Sequence, residues 1–91
     1  MTYKESEKEL KSLMTDNEVI FRCAIFHLID VGTRFLTDEY VENTCAEIMK
    51  QDDSHSLMTN EFQCDIVRVA GKIAKYDAAH IIKFASKIIN V

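Results

Sequence analysis

Cys23 and His27 are the first residues in this sequence whose types and spacing could do chemistry. They lie four positions apart in an apolar stretch, and residues at i and i+4 share one face of a helix. A thiolate beside an imidazole could supply half of a tetrahedral metal site, or a nucleophile with its base. The pair therefore suggests one hypothesis for the function, a helical metal or redox sensor.

The rest of the sequence does not complete either kind of site. Further metal ligands would have to come from Cys45, Cys64, His55 or a second subunit, and none of these shows the close pairing of a zinc finger. A nucleophilic site also needs an oxyanion cradle, and no Gly-rich turn offers one. Free cysteines are among the most buried residue types, so a core position is the favoured interpretation of Cys23. We therefore predict no catalytic residue, no metal, no cofactor and no enzymatic activity.

Length and composition favour one small all-helical domain over residues 1–91. The chain has no proline and two glycines, whereas a β-rich protein needs turn residues at every hairpin. The longest apolar run, 19–31, is too short and too charged for a membrane span, and the charged N-terminus has no apolar signal core. Three widely spaced cysteines do not make a disulfide framework. We expect a cytoplasmic protein with no membrane contact.

Hydrophobic periodicity and capping signals predict the first two helices. The first is expected over about 3–14 and the second over about 16–31, with a capping box of Thr15 and Glu18 at the start of the second. Gly32 can take the left-handed conformation that ends the second helix. This helix is apolar on nearly every side, a pattern typical of a helix buried at the centre of a bundle.

The pattern in the second half of the chain predicts a third helix and, after it, one or two more. The third is expected over about 38–50, with Thr37 as its N-cap, and a polar loop follows at 51–56. Beyond the loop, apolar residues recur at spacings of three and four almost to the last residue. Either one long helix spans about 60–90, which is favoured, or two helices meet near residues 76–77. We therefore predict a bundle of four or five helices with a long C-terminal helix.

A long C-terminal helix would carry an apolar seam that three shorter helices cannot cover. Such a seam favours packing against the helix of a second chain, so we expect a homodimer. The predicted seam consists of Val67, Ala70, Ala74, Ala78, Ile81, Ala85 and Ile88.

Charge is divided unequally along the chain. Residues 1–65 hold fourteen acids and six bases, a net of −8, whereas residues 66–91 hold five bases and one acid, a net of +4. On the predicted long helix the five bases fall along one side, with His80 among them. These five predicted partner-binding residues are Arg68, Lys72, Lys75, Lys83 and Lys87.

Three interpretations of this basic side stay open. The first is a solvated helix face that pairs with acids of the same fold, since charge runs usually serve solubility. The second is a contact for an acidic partner protein or for the acidic end of a second copy. The third is contact with the phosphates of nucleic acid, which the net charge of −8 elsewhere and the pI of 5.3 disfavour.

Three segments also give the chain a resemblance to a known family. IFHLIDVG at 25–32 ends a helix on glycine, ENTCAEIM at 42–49 forms the next helix, and DIVR at 65–68 opens another. This order resembles the small YmgB/AriR family of bacterial biofilm and acid-resistance regulators over roughly residues 20–75. The chain departs from the family in its loop, 52–58, and in its basic C-terminal end.

The resemblance implies a helical hairpin-like core, a homodimeric assembly and a connector role in two-component signalling, without catalytic residues. Our leading hypothesis is therefore a non-enzymatic regulatory or adaptor protein that acts by protein–protein interaction as a homodimer. The metal or redox sensor and a weak nucleic-acid-associated regulator are the alternatives.

Overall fold

A computed structural model describes residues 3–76 together with residues 80, 83 and 87. A turn of 3₁₀ helix, Thr33–Phe35, links the second helix to the third, and residues 80, 83 and 87 are again helical. Within this described part of the chain no strand occurs, which confirms the predicted all-α bundle. None of the described helices combines the length and the apolar composition that a membrane span requires. Within residues 3–76 the α-helices are α1 (Tyr3–Asp16), α2 (Glu18–Val31), α3 (Asp38–Met49) and α4 (Asn60–Ile73).

Side-chain caps and one glycine fix several of the helix boundaries. The hydroxyl oxygen of Thr37 accepts a hydrogen bond from the backbone N–H of Tyr40 at 3.1 Å, and Thr59 caps α4 in the same way through Phe62. Each cap satisfies a backbone donor that has no partner inside the helix. Gly32 ends α2 with φ at +90°, a conformation that L side chains rarely adopt. The predicted N-cap at Thr37 and the end of α2 are therefore confirmed.

The predicted capping box of Thr15 and Glu18 is wrong. The Thr15 hydroxyl instead donates to the carbonyl oxygen of Lys11 at 2.8 Å, within α1. Asn17 takes the capping role, because its side-chain oxygen accepts from the backbone N–H of Ile20 at 3.1 Å. The break between α1 and α2 consequently lies at one residue, which folds α1 back against α2.

The hydrophobic core is built around α4, which packs against both α2 and α3, while α1 packs against α2. Burying one large apolar side chain, such as leucine, isoleucine or phenylalanine, in this core stabilises the fold by roughly 1.5–3 kcal/mol. The main cluster consists of Leu10, Phe21, Ala24, Ile25, Leu28, Leu36, Ile66, Ala70 and Ile73. A smaller cluster between α3 and α4 consists of Cys45, Cys64 and Val67.

The expectation that α2 is buried on nearly every side is wrong. Its core-facing residues recur at spacings of three and four along one side, from Phe21 to Leu28. On the other side Val19, Phe26 and Ile29 are 60%, 57% and 59% exposed. The neighbours α1 and α4 cover only part of the helix, so the rest of its apolar surface faces outward.

The favoured single helix over 60–90 is also wrong, because α4 ends at Ile73. The backbone N–H groups of Lys75 and Tyr76 donate three residues back, to Lys72 and Ile73, and residues 74–76 form a turn. Hydrogen bonds of this spacing tighten the last turn of a helix and satisfy its free carbonyls. The alternative of a break near residues 76–77 agrees better with this turn.

Contacts with the other helices hold the turn after α4 in place. The ammonium group of Lys75 lies 3.1 Å from the carboxylate of Asp38 at the start of α3. The hydroxyl of Tyr76 donates a hydrogen bond to the carboxylate of Glu9 on α1. The turn is therefore tied to both α1 and α3, which gives a tertiary reason for the helix to stop where the local sequence contains no helix breaker.

Candidate interaction surfaces

The outward side of α2 carries three of the large apolar side chains that are exposed among the described residues. Val19, Phe26 and Ile29 form this surface, and we call these three residues the α2 face. At about 100° per residue, Phe26 lies directly opposite the core-facing side of α2. Charged side chains flank Phe26, with Arg22 one turn before it and Asp30 one turn after it, and both are exposed.

Arg22 is already held in position within α2. Its guanidinium group lies 2.7 Å from the carboxylate of Glu18, one turn earlier, and both side chains are largely exposed. Such i,i+4 pairs contribute about 0.3–0.5 kcal/mol. The guanidinium group has five N–H donors, so it can hold a second carboxylate at the same time.

Cys23 and His27 are not brought together with a third metal ligand. Cys23 is half-buried and packs against the main core cluster. His27 shares a hydrogen bond of 3.4 Å between its Nε2 and the hydroxyl of Tyr40 on α3, and the two rings lie 6.2 Å apart. Among the described residues no group of three His, Cys, Asp or Glu side chains could hold a metal ion. The observed contacts of this pair are structural ones between α2, α3 and the core.

Cys45 and Cys64 face each other across α3 and α4, a pairing that the sequence did not indicate. The Cys45 thiol donates to the carbonyl oxygen of Cys64 at 3.8 Å, and the Cys64 thiol donates to that of Cys45 at 3.6 Å. Burial, and then the neighbouring Cys64 thiol, raise the pKa of Cys45. A raised pKa keeps the sulfur as a poorly nucleophilic thiol. Cys45 and Cys64 are therefore buried core residues that help to pack α3 against α4.

Asn60 anchors the loop between α3 and α4, and this loop also carries a fully exposed apolar side chain. The side-chain amide of Asn60 donates to the carbonyl oxygen of Gln51 at 2.6 Å, and its backbone N–H donates to Asp53 at 2.7 Å. Leu57 projects fully into solvent beside Met58, next to an open depression of about 420 Å³. His55 is exposed, and so are its polar neighbours Ser54 and Ser56.

The basic side predicted from the sequence is not a single stripe, because the helix that would align it ends at Ile73. Arg68, Lys72 and Lys75 are exposed on and just after α4. Lys83 and Lys87 are exposed as well. The five bases are thus divided between α4 with its turn and the helical residues beyond it.

Acids of the same fold already pair with two of the five bases. Arg68 lies 3.3 Å from Asp65 on α4, and Lys75 lies 3.1 Å from Asp38 on α3. These contacts agree with the first interpretation of the basic side, a face that pairs within its own fold. No ion pair within the described part of the chain joins Lys72 to an acid.

His80 does not belong to the exposed basic side where the sequence placed it. It is only 5% exposed, and its Nε2 lies 3.9 Å from the carboxylate of Glu7 on α1. The helical segment after the turn therefore packs back toward α1 at this residue. That packing is a second reason why the five bases do not follow one continuous helix.

The beginning of the predicted dimer seam lies inside the monomer. Val67 and Ala70 are 3% and 0% exposed, because α4 uses them to contact its own chain, and Ala74 is half-buried. Because they are buried, Val67 and Ala70 cannot also contact a second copy. The remaining seam residues, Ala78, Ile81, Ala85 and Ile88, lie outside the described residues.

An open groove of about 260 Å³ lies between the corner of α1 and α2 and the outer side of α4. Its apolar side chains come from three helices, which are brought together by the sharp break at Asn17. Sequence reasoning missed it, because no spacing within one segment links α1 to α4. The lining residues are Leu13, Asn17, Ile20, Asp65, Arg68, Val69 and Lys72.

In comparisons with known proteins, the chain matches no family model, no curated protein and no solved structure. The resemblance to the YmgB/AriR family therefore stays a prediction.

Proposed function

We propose that this chain is a non-enzymatic regulatory or adaptor protein that acts by protein–protein contact and pairs with a second copy of itself through α2. The observation that carries the proposal is the α2 face, three large apolar side chains each more than half exposed on one helix. The largest exposed apolar patch of a protein is often a functional contact surface. A cytoplasmic location is part of the proposal, and three free thiols suit that reducing compartment.

The amount of apolar surface supports a weak, reversible contact. Three side chains of this size at this exposure present roughly 300 Å², at the lower end of the roughly 300–600 Å² that the largest patch of an ordinary monomer covers. Pairing two copies would bury about twice that area, below the roughly 1,200 Å² of stable complexes. We therefore expect a concentration-dependent dimer with a dissociation constant on the order of micromolar to hundreds of micromolar.

Charge complementarity favours a second copy as the occupant. A two-fold interface pairs each residue with its symmetry mate, so an antiparallel contact centred on Phe26 sets position 26−k opposite position 26+k. Arg22 then faces the Asp30 of the second copy, and the reciprocal contact forms at the other end. The apolar centre is consequently framed by two opposite-charge pairs, the arrangement of an interface with a polar rim.

Sedimentation velocity over a range of concentrations tests this proposal, with Phe26→Glu beside the wild type. We expect the wild type to shift from monomer toward dimer as its concentration rises, and Phe26→Glu to stay monomeric with an unchanged circular dichroism spectrum. Leu57→Glu is the matched control, since it places the same charge on another exposed apolar side chain. The proposal is wrong if wild type and Phe26→Glu sediment alike, or if Leu57→Glu has the larger effect.

A further inference from the structure

We infer that the groove between α1, α2 and α4 binds an amphipathic helical segment of an acidic partner protein. The inference rests on the proposed role in protein–protein contact, but it does not rest on self-association through α2. Ile20, which lines the groove, lies about 120° around α2 from Phe26, so the two surfaces are separate. One protomer can therefore use both at once.

The size and lining of the groove indicate side chains as its occupants. Leu13, Ile20 and Val69 give it an apolar floor. Its volume of about 260 Å³ lies below the roughly 300–1,000 Å³ of pockets that enclose small molecules. A groove of this size accepts one or two large apolar side chains projecting from a longer segment, which is how grooves bind the apolar face of a helix.

The charges along its edge favour carboxylates beside those apolar side chains. Arg68 and Lys72 line the groove with one acid, Asp65, so the edge carries a local excess of one positive charge on a chain whose total is −4. Lys72 forms no ion pair within the described residues. Arg68 uses one side of its guanidinium group for Asp65, and its remaining N–H donors can take a second carboxylate.

The spacing of the two bases matches a helical ligand. Arg68 and Lys72 are four residues apart on α4, which sets them about 6 Å apart along its axis. Two carboxylates four residues apart on a partner helix have the same separation. A helix laid along α4 with one apolar side chain in the groove can therefore bring a carboxylate to each base, which a single-headed anion cannot do.

The test titrates the full chain with a fluorescein-labelled 12-residue peptide of leucine and glutamate, patterned as an amphipathic helix. Two control peptides replace glutamate with lysine, or leucine with serine. We expect saturable binding of the leucine–glutamate peptide by fluorescence anisotropy, and no binding of either control. In amide NMR spectra the largest shifts should fall at Ile20, Val69 and Lys72 rather than at Phe26.

Charge reversal at the edge of the groove supplies the decisive variant. Lys72→Glu should weaken peptide binding by at least about tenfold, since it turns an attraction into a repulsion at close range. Lys50→Glu makes the same change of net charge at an exposed lysine just after the end of α3 and should leave binding within about twofold. Lys72 is exposed, so the variant is expected to fold, which circular dichroism verifies.

Several results would overturn the inference. These are an absence of saturable binding at millimolar peptide, equal binding by Lys72→Glu and the wild type, or shifts centred on the α2 face. Decanoate that shifts the groove amides in the same NMR titration, without any peptide binding, would identify the groove as a site for small anionic amphiphiles and would equally end the proposal. Peptide binding by Phe26→Glu at wild-type strength would show that the groove acts whether or not the chain dimerises.

Discussion

Substituting Gly71 with alanine tests how closely α3 and α4 approach each other. Gly71 is buried on α4, and a Cβ atom added there would lie 2.7 Å from Cγ2 of Val41 on α3. Carbon atoms in contact prefer about 3.5–4.0 Å, so one of the two must move by roughly 0.8 Å or more. Valine in a helix has one strongly preferred rotamer, and the added methyl therefore pushes the two helices apart.

Two opposing effects set the size of this change. Replacing glycine with alanine inside a helix gains about 1 kcal/mol from helix propensity. Overpacking a well-filled core costs about 1–3 kcal/mol. We expect Gly71→Ala to be destabilised by about 1 kcal/mol overall. The same substitution at a helical glycine with free space around it would instead stabilise the protein by about 1 kcal/mol.

Urea unfolding followed by far-UV circular dichroism measures the effect, and Val41→Ala supplies the control. With the valine methyl groups removed, Gly71→Ala should become stabilising, so the two substitutions should couple by at least about 1 kcal/mol in a double-mutant cycle. A Gly71→Ala variant that is more stable than the wild type, with no coupling to Val41→Ala, would refute the close approach of α3 and α4.

Three further predictions concern the core, the loop and the pH dependence. Phe21→Ala should cost about 3–5 kcal/mol in urea unfolding, whereas Phe26→Ala on the outward side of the same helix should cost less than about 1 kcal/mol; similar costs would contradict the assigned faces. Asn60→Ala should cost about 1–2 kcal/mol, because it leaves the carbonyl of Gln51 without its donor, and an unchanged midpoint would contradict that anchor. Burial, and then a carboxylate partner, raise the pKa of Tyr76 to about 12 from 10.0. The stability that this hydroxyl contributes is therefore complete below pH 10 and is lost as pH rises toward 12. When the free energy of unfolding is measured against pH, Tyr76→Phe should lose less stability than the wild type over this range.

The parts of the fold that sequence could predict are those with local causes. Thr37 and Gly32 act through hydrogen bonds and backbone geometry within a few residues, so their types alone indicate where α3 begins and α2 ends. Asn17 replaced Thr15 as the cap of α2, although both residue types are good caps. The choice between two adequate caps depends on how α1 packs, which local sequence does not contain.

The parts that sequence could not predict have tertiary causes. The segment after Ile73 reads Ala-Lys-Tyr and contains no helix breaker, yet Lys75 and Tyr76 contact α3 and α1 and the helix stops. Helix propensity is a weak preference that such contacts override. Likewise, the apolar residues of α2 surround the helix, and only the arrangement of its neighbours decides that Phe26 stays outside.

The candidate surfaces follow the same division. The sequence showed that Arg68 and Lys72 belong to a basic segment, but it could not show the apolar floor beside them, which α1 and α2 supply. It predicted association through a helix face, but it assigned that face to residues such as Val67 that the monomer buries. Association through α2 replaces that assignment in our proposal.

Charge exchange between Arg22 and Asp30, followed by sedimentation equilibrium, tests the pairing of α2 with a second copy most directly. Each single variant, Arg22→Asp or Asp30→Arg, sets like charges opposite each other at both ends of the antiparallel contact. Each should weaken dimerisation by about tenfold, because it turns two attractive charge pairs into repulsive ones and each pair contributes under about 1 kcal/mol. The double variant restores opposite charges and should dimerise within about threefold of the wild type. A double variant as weak as the single ones, or single variants that dimerise like the wild type, would contradict the account.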